Sequence, residues 1–340
     1  MLILRPAASS DLADLGALAA QLDSVNLPDD PVFLAERISA SERSFAGALP
    51  RAERVYQFVL EDSAVGRVVG TSLIVAKHGR PGVPFYWLEV STEERRSPDL
   101  GRRFVHTKLR LRSTEDGPTE VGGLILEPTY RQHALRCGKA LSIVRFAWIS
   151  AHPDRFEQQL VAEMLSPFVA PGRSLLWDAF GARFTGLPYR EADRLSARTK
   201  QFIADLFPRD PVYATLFPDE VQKAIGTPND TARAAVRILE KIGFHPLNQV
   251  DPFDGGPYFG AARDAIVSVR ERRELVLPGL PAGADAEPGD VLALLSAEGR
   301  LGFRATVVPL GGEGAPRVSE ACREALGVGR GERVSVTPLP

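Results

Sequence analysis

Cysteine is scarce here: Cys137 and Cys322 are the only two in 340 residues. Two thiols cannot staple a disulfide framework, and their separation matches no metal-ligand spacing, so neither a disulfide scaffold nor a metal site is expected. A reducing, cytoplasmic setting is the default that follows. Charge of one sign is not in excess either. Lys and Arg number 41 against 43 Asp and Glu, a formal net charge of -2, which gives no footing for nucleic acid or an anionic membrane as partner. Long hydrophobic runs are also missing, and no window approaches the roughly 18 uninterrupted apolar residues of a membrane span. The opening Met1-Leu-Ile-Leu-Arg-Pro6 has no basic leader and no small-residue cleavage site, so no signal peptide is expected.

What is present is an ordinary globular composition, 44% apolar and 25% charged. The length suits two domains, or one large domain with an appendage. Leu2-Ile3-Leu4 reads as a strand. Ser9, Ser10 or Asp11 can cap a helix over 11–22, where Leu12, Leu15, Leu18, Ala19 and Leu22 recur at helical spacing. Asn26-Leu27-Pro28 is a turn, and a second helix is expected over 31–46. Val55–Leu60 and Val68–Val75 form a hairpin. Residues 79–118 are polar and read as irregular. Val121–Leu126, a basic turn from Arg131 to Gly138, a helix to Ala151 and a strand over 159–164 together make a βαβ crossover. Residues 165–230 read as a largely helical insertion, followed by a helix over 231–241 that ends at Gly243. Closing strands are expected over 244–250 and 258–269. Composition shifts near Pro278, and short β-type runs follow, so 1–275 and 276–340 are read as two domains, the second a small β-barrel.

The crossover carries the chemistry. A turn between a strand and a helix leaves backbone N–H groups unpaired, and the helix dipole favours an anion there. Arg131, Arg136 and Lys139 add positive charge, and Gly138 lets the main chain come close to a ligand, a combination that suits a pyrophosphate. The plainer reading is a common βα turn holding a glycine and a few cations.

Ala234-Ala235-Val-Arg-Ile-Leu239-Glu240-Lys241-Ile-Gly243-Phe244 resembles the closing helix and strand of the GCN5-related N-acyltransferases (GNAT), and the order of elements fits that α/β fold. A closer resemblance spans essentially the whole chain. Residues 1–28, Phe58-Val-Leu-Glu-Asp-Ser63, Val161-Ala-Glu-Met164, Ile225-Gly226 and above all Phe253-Asp254-Gly255-Gly256-Pro257 resemble the arginine N-succinyltransferase family. The resemblance implies succinyl transfer from succinyl-CoA to the α-amine of arginine or ornithine, in arginine catabolism, with no metal. It implies that Leu124 contacts the acyl-CoA and that the turn of Arg131, Arg136, Gly138 and Lys139 holds the pyrophosphate. Asn26 is placed with the substrate, and the Asp254 carboxylate suits a guanidinium bidentately, being equally well read as the cap of a Gly-Gly turn. A homodimer, or a hetero-oligomer with a homologue, is the implied assembly.

The pattern is not fully kept. Arg136 stands where the family's first turn glycine is expected, and Asn229 occupies the position of the family's proton-donating histidine. Asn cannot titrate, and Asn229-Asp230-Thr231 reads as a helix cap. His245 could supply a substitute proton, although a half-exposed strand histidine is the plainer reading; His133 is placed against phosphate or solvent, and Cys137 in packing. Three functions stay open: arginine succinyltransferase, an acyl-CoA transferase for another amine or acyl donor, and a non-catalytic subunit of a paired enzyme.

Overall fold

The computed structural model describes residues 1–20, 30–170, 172–196, 199–277 and 290–340. The chain begins with β1 (Leu2–Pro6), α1 (Leu12–Ala20) and α2 (Pro31–Phe45), then the hairpin β2 (Val55–Asp62) and β3 (Arg67–Val75). Asp30 caps α2, its carboxylate accepting the Val32 N–H at 2.9 Å, with Pro31 in the first helical position where no N–H is needed. Next come β4 (Phe85–Ser97), β5 (Arg102–Thr114), β6 (Thr119–Leu126), α3 (Cys137–Ala151) and β7 (Gln159–Glu163).

The following segment holds β8 (Phe168–Ala170), β9 (Arg173–Ser174), α4 (Ala182–Thr185), α5 (Tyr189–Ser196), α6 (Gln201–Leu206), β10 (Val212–Tyr213) and α7 (Asp219–Ala224). After it stand α8 (Arg233–Lys241), β11 (His245–Val250), β12 (Pro257–Ala262) and α9 (Val267–Arg270). The tail supplies β13 (Arg273–Val276), β14 (Leu292–Gly299), β15 (Gly302–Pro309), α10 (Glu320–Leu326) and β16 (Arg333–Pro338).

Among the described residues one mixed sheet runs β10-β5-β4-β11-β12-β7-β6-β3-β2-β1-β15-β14-β16-β13. Strand alternation divides the core between its two faces. On β2, Phe58 joins Leu141, Phe146, Trp148 and Leu239 under α3 and α8. Its neighbour Val59 joins Leu15, Leu18, Leu34 and Ile38 under α1 and α2. α3 is apolar almost all round, as a helix buried between layers must be. The segment between β7 and α8 keeps its own core, where Trp177 stacks on Phe253 at 5.0 Å and both pack beside Leu88 and Leu109. α8 ends as its sequence requires: Gly243 takes φ +106° and the Phe244 N–H closes on the Leu239 carbonyl at 3.0 Å.

Three expectations are corrected. The tail is no closed barrel among the described residues. β1 pairs with β15 at Leu4↔Ala305, so β14–β16 and β13 extend the main sheet, with β13 at its edge. Short alternating strands have the same signature in a barrel and at a sheet edge. The closing strand over 258–269 ends at Ala262, and α9 follows. Residues 79–118, read as irregular, contain β4 and β5, a ribbon paired from Phe85↔Thr114 to Ser97↔Arg102. The Asn26-Leu27-Pro28 turn lies outside the described residues. Among the described residues no helix is long and apolar enough to cross a membrane.

Candidate active site

β6 and β7 run parallel but pair only at Thr119↔Leu160 and Glu120↔Val161. Beyond that point β6 stays with β3 as far as Leu126, and β7 stays with β12 as far as Glu163. The strands therefore part, leaving Gly122, Gly123 and Leu124 on one lip and Ala162 and Glu163 on the other. Gly123 at φ +55°, with a register shift between Thr71 and Leu73, bulges β6 toward the opening. Arg145 of α3 secures this lip. Its Nη1 donates to the Gly122 carbonyl at 3.1 Å and its Nη2 to Ser142 Oγ at 2.9 Å. Burial pushes its guanidinium down to about 9. Leu124 lies half-buried on the same lip.

The basic turn sits above this gap, at the N-terminus of α3. Arg136 has φ +51° and ψ +49°, making it the one non-glycine residue with positive φ among the described residues. The backbone thus adopts a conformation open to glycine at the position where the resemblance expects one, although arginine stands there. The Arg136 N–H donates to the His133 carbonyl at 2.8 Å, and the Tyr130 hydroxyl donates to Asp62 at 2.8 Å, pinning the turn. Arg131, His133 and Arg136 are exposed around the first-turn N–H groups of Cys137 and Gly138. Lys139 is placed differently from Arg131 and Arg136. Its ammonium donates to the main-chain oxygen of Pro340 in the tail. Burial first, then Arg136 and Lys241, hold its pKa below the usual lysine range. Cys137 is buried and its thiol is pushed up to about 11, which suits packing and not nucleophilic attack.

A non-glycine residue in the left-handed region costs about 1–2 kcal/mol, partly offset by the entropy glycine loses on folding. Arg136→Gly is therefore expected to raise stability by up to about 1 kcal/mol while weakening CoA binding severalfold through loss of a cation. Thermal unfolding and CoA titration of the same variant read the two effects separately.

Alternation places the Glu163 side chain on the face away from α3, because Leu160 and Ala162 pack into the α3 core while Val161 packs with Phe85 and Tyr258. There the carboxylate oxygens of Glu163, Asp251 and Asp254 lie within 4.8 Å of one another. The Tyr258 hydroxyl donates to Glu163 Oε2 at 3.0 Å. Asp251 Oδ1 accepts the N–H groups of Phe253 at 2.7 Å and Asp254 at 3.1 Å. Both Asp254 oxygens are held by main chain, from Ser166 at 2.9 Å and Gly256 at 2.7 Å, around Gly255 at φ +80°. Burial, reinforced by Asp251, raises Glu163 well above the carboxylate range and pushes Asp254 up to about 7. Burial and Asp251 likewise push Asp193 of α5 up to about 7.

Asn229 is drawn to the same end of β7. Its N–H donates to the Leu165 carbonyl at 2.8 Å, and its Oδ1 accepts from the Ala232 N–H at 2.9 Å and the Thr231 hydroxyl at 2.8 Å. It thus caps the turn into α8 beside the gap. His245 lies elsewhere. It begins β11, exposed, in a cavity of about 460 Å³ lined also by Phe85, Trp87, Leu247 and Gln249. Strand rise puts it about 20 Å from the Asp251 end of β11. Asn26 lies outside the described residues. Sequence reasoning missed Glu163, Asp251 and Tyr258 as site residues. The available signal was an acid at the end of β7 and another just past β11, two strands that flank β12 in the sheet.

Parallel strands that part beside a basic βα turn, with carboxylates on the far face, are the working parts of an acyl-CoA-dependent N-acyltransferase. The model of a family described as arginine N-succinyltransferase beta subunit matches residues 2–268. Arginine N-succinyltransferase subunit alpha of Pseudomonas aeruginosa is 36% identical over 349 residues, covering 100% of both chains. Arginine N-succinyltransferase of Citrobacter koseri is 33% identical, covering 100% of this chain and 98% of its own. The solved structure of arginine/ornithine succinyltransferase subunit AI from Pseudomonas aeruginosa superposes with a TM-score of 0.84 at 32% identity, covering 100% of this chain and 99% of that one. The chain belongs to the arginine N-succinyltransferase family.

Proposed function

We propose that this protein transfers the succinyl group of succinyl-CoA to the α-amine of L-arginine, with ornithine as the nearest alternative acceptor. The observation that carries the reading is the disposition of charge about the gap: cations at the α3 turn on one face, and crowded carboxylates on the other. An anionic donor and a dicationic acceptor are thereby kept apart until they meet between β6 and β7. The main chain of Gly123 and Leu124, past the last β6–β7 pair, is suited to hold pantetheine and polarise the thioester carbonyl. Arg131, Arg136 and the N–H groups of Cys137 and Gly138 would hold the pyrophosphate. Asp251 and Asp254 would hold the guanidinium by charge-assisted hydrogen bonds. Residues 1–275 would carry the transfer. Residues 276–340, with a core of their own around Leu295, Val308, Leu326 and Val336, would act as a second unit bracing β1 and α3.

The test is release of free thiol from succinyl-CoA against a panel of amines led by arginine and ornithine. Arginine-dependent release supports the reading, and release with a different amine only redirects it to that acceptor. A second reading rests on the relatives' names, which include an alpha subunit and a subunit AI. On that reading the chain works beside a homologue, and CoA binding without turnover is the expected result. The homodimer and the hetero-oligomer belong to these two readings respectively.

Asp251→Asn keeps an oxygen for the Phe253 and Asp254 N–H groups but removes the charge. A lost charged hydrogen bond of about 1.5–3 kcal/mol corresponds to a rise of roughly 10- to 100-fold in KM for arginine, with KM for succinyl-CoA unchanged. In the unaltered protein, carboxylates whose pKa values are raised ionise only as pH climbs through about 7. A cation needs them ionised, so KM for arginine should fall between pH 6 and pH 8 in steady-state kinetics.

A further inference from the structure

Acyl transfer to an ammonium group needs a base, and Asn229 does not titrate. The gap itself offers one candidate. Glu163 is the last residue of β7, on the lip opposite Leu124 and beyond the point where β6 and β7 separate. Its side chain leaves the sheet on the face away from α3, whereas the pyrophosphate turn opens at the N-terminus of α3. A donor reaching through the gap from the α3 side would present its thioester carbonyl between the lips, and an acceptor from the opposite face would meet Glu163 first. The carboxylate is half-buried, so it is both accessible and partly desolvated. It is also oriented, because the Tyr258 hydroxyl fixes Oε2 at 3.0 Å. Asp251 Oδ1 and both Asp254 oxygens are occupied by main-chain N–H groups, whereas Oε1 of Glu163 has no such main-chain bond among the described residues.

We propose that Glu163 is the general base of the transfer and that Tyr258 is the positioning residue that aims it. This rests on the acyltransferase reading above. Glu163 takes one proton from the acceptor ammonium. The freed nitrogen lone pair attacks the thioester carbonyl carbon, forming the C–N bond, and the C–S electron pair leaves with sulfur as the intermediate collapses. The second nitrogen proton passes to the departing thiolate or to water, so amide and free thiol are the products. Glu163 returns its proton to solvent. The groups facing it are Tyr258 on β12, Asp251 and Asp254 in the β11–β12 turn, Glu120 on β6 and Lys200 ahead of α6. Burial first, then Asp251, Glu120 and Asp254, hold the Glu163 pKa above the usual carboxylate range, with Lys200 opposing them. Tyr258 stays protonated as a donor, since burial and the same anions push its phenol upward.

The experiment is kcat/KM for the acceptor against pH, by thiol release, for the unaltered protein, Glu163→Gln, Glu163→Asp and Tyr258→Phe, with CoA titration as the check on folding. Glu163→Gln is expected to lose roughly 10²–10⁴-fold at pH 7 with CoA affinity unchanged. The deficit should shrink as pH climbs through the acceptor's own amine pKa, because a free amine needs no base. Tyr258→Phe should keep most of its activity and shift the acidic limb. A Glu163→Gln deficit that is constant with pH, or smaller than threefold, overturns the proposal. Should that variant fail to bind CoA, Glu163→Asp decides: a shifted limb and partial activity support the base, and behaviour identical to the unaltered protein at every pH overturns it. Silence with arginine but turnover with another amine sinks only the arginine reading, and the same comparison is then run on that amine. A protein inert toward every amine overturns both.

Discussion

Gly256→Ala is expected to abolish acceptor-dependent thiol release and to destabilise the protein by about 3–5 kcal/mol. A Cβ at this position would sit 2.0 Å from the Met164 carbonyl oxygen and 2.9 Å from Asp254 Oδ1. Neither neighbour can yield cheaply. Met164 is tied to β12 through its own N–H on the Pro257 carbonyl at 3.1 Å. Asp254 is held by two main-chain N–H groups, one of them from Gly256 itself. The turn must therefore retreat from β7 as a unit, carrying Asp251 and Asp254 with it and pulling on Tyr258 just beyond. A displacement of about 1 Å near reacting groups commonly costs about 10²-fold in rate. Urea unfolding and single-turnover thiol release on the same preparation measure both losses. A variant with unchanged unfolding midpoint would show that the turn relaxes without moving the strand.

Asn229→His should raise kcat on the order of tenfold to a hundredfold. General acids usually contribute about 10²–10⁴-fold, but a thiol with a pKa near 8.5 leaves tolerably without help, so the gain belongs at the low end. The position is ready for it: Asn229 is anchored through its N–H to Leu165, two residues past the Glu163 end of β7. The expected cost is about 1 kcal/mol of lost turn hydrogen bonding, because Asn229 Oδ1 accepts from the Ala232 N–H at 2.9 Å. The pH profile of kcat should gain a basic limb, reporting an acid that must stay protonated. A faster variant whose profile keeps its shape would point to repacking and not to proton donation.

The parts of this fold that were legible in sequence are those where one face meets a core. α1 and α2, the β2–β3 hairpin, the β6–α3–β7 crossover and α8 with its Gly243 stop all announce themselves through apolar periodicity or a cap. The β4–β5 ribbon did not. Between Ser91 and Thr107 neither strand pairs with an outer strand among the described residues, so no buried face imposes alternation. Its order comes from cross-strand charge, as in Arg103–Glu94 and Lys108–Glu93, each at 2.9 Å. The basic turn before α3 was legible as a cluster of cations, but the left-handed Arg136 was not, since nothing in a side chain's identity reports a φ that it disfavours. The acidic face was missed for a different reason. Glu163 is far in sequence from Asp251 and Tyr258, and only the β7–β12 register, with Tyr258 opposite Glu163, brings it to them.

The pairing of β1 with β15 bears on how the chain is made. Leu2 is synthesised long before the residue it pairs with: its carbonyl accepts from the Thr306 hydroxyl at 2.8 Å, 304 positions later. Until synthesis reaches β15, β1 can satisfy only its β2 side, and its other edge stays open to any passing strand. So wide a closure makes for slow folding and a prolonged window for aggregation. A nascent chain of this protein stalled short of residue 300 would thus present most of an acyltransferase with an unsealed seam, and would be a natural client for chaperones that guard exposed strand edges.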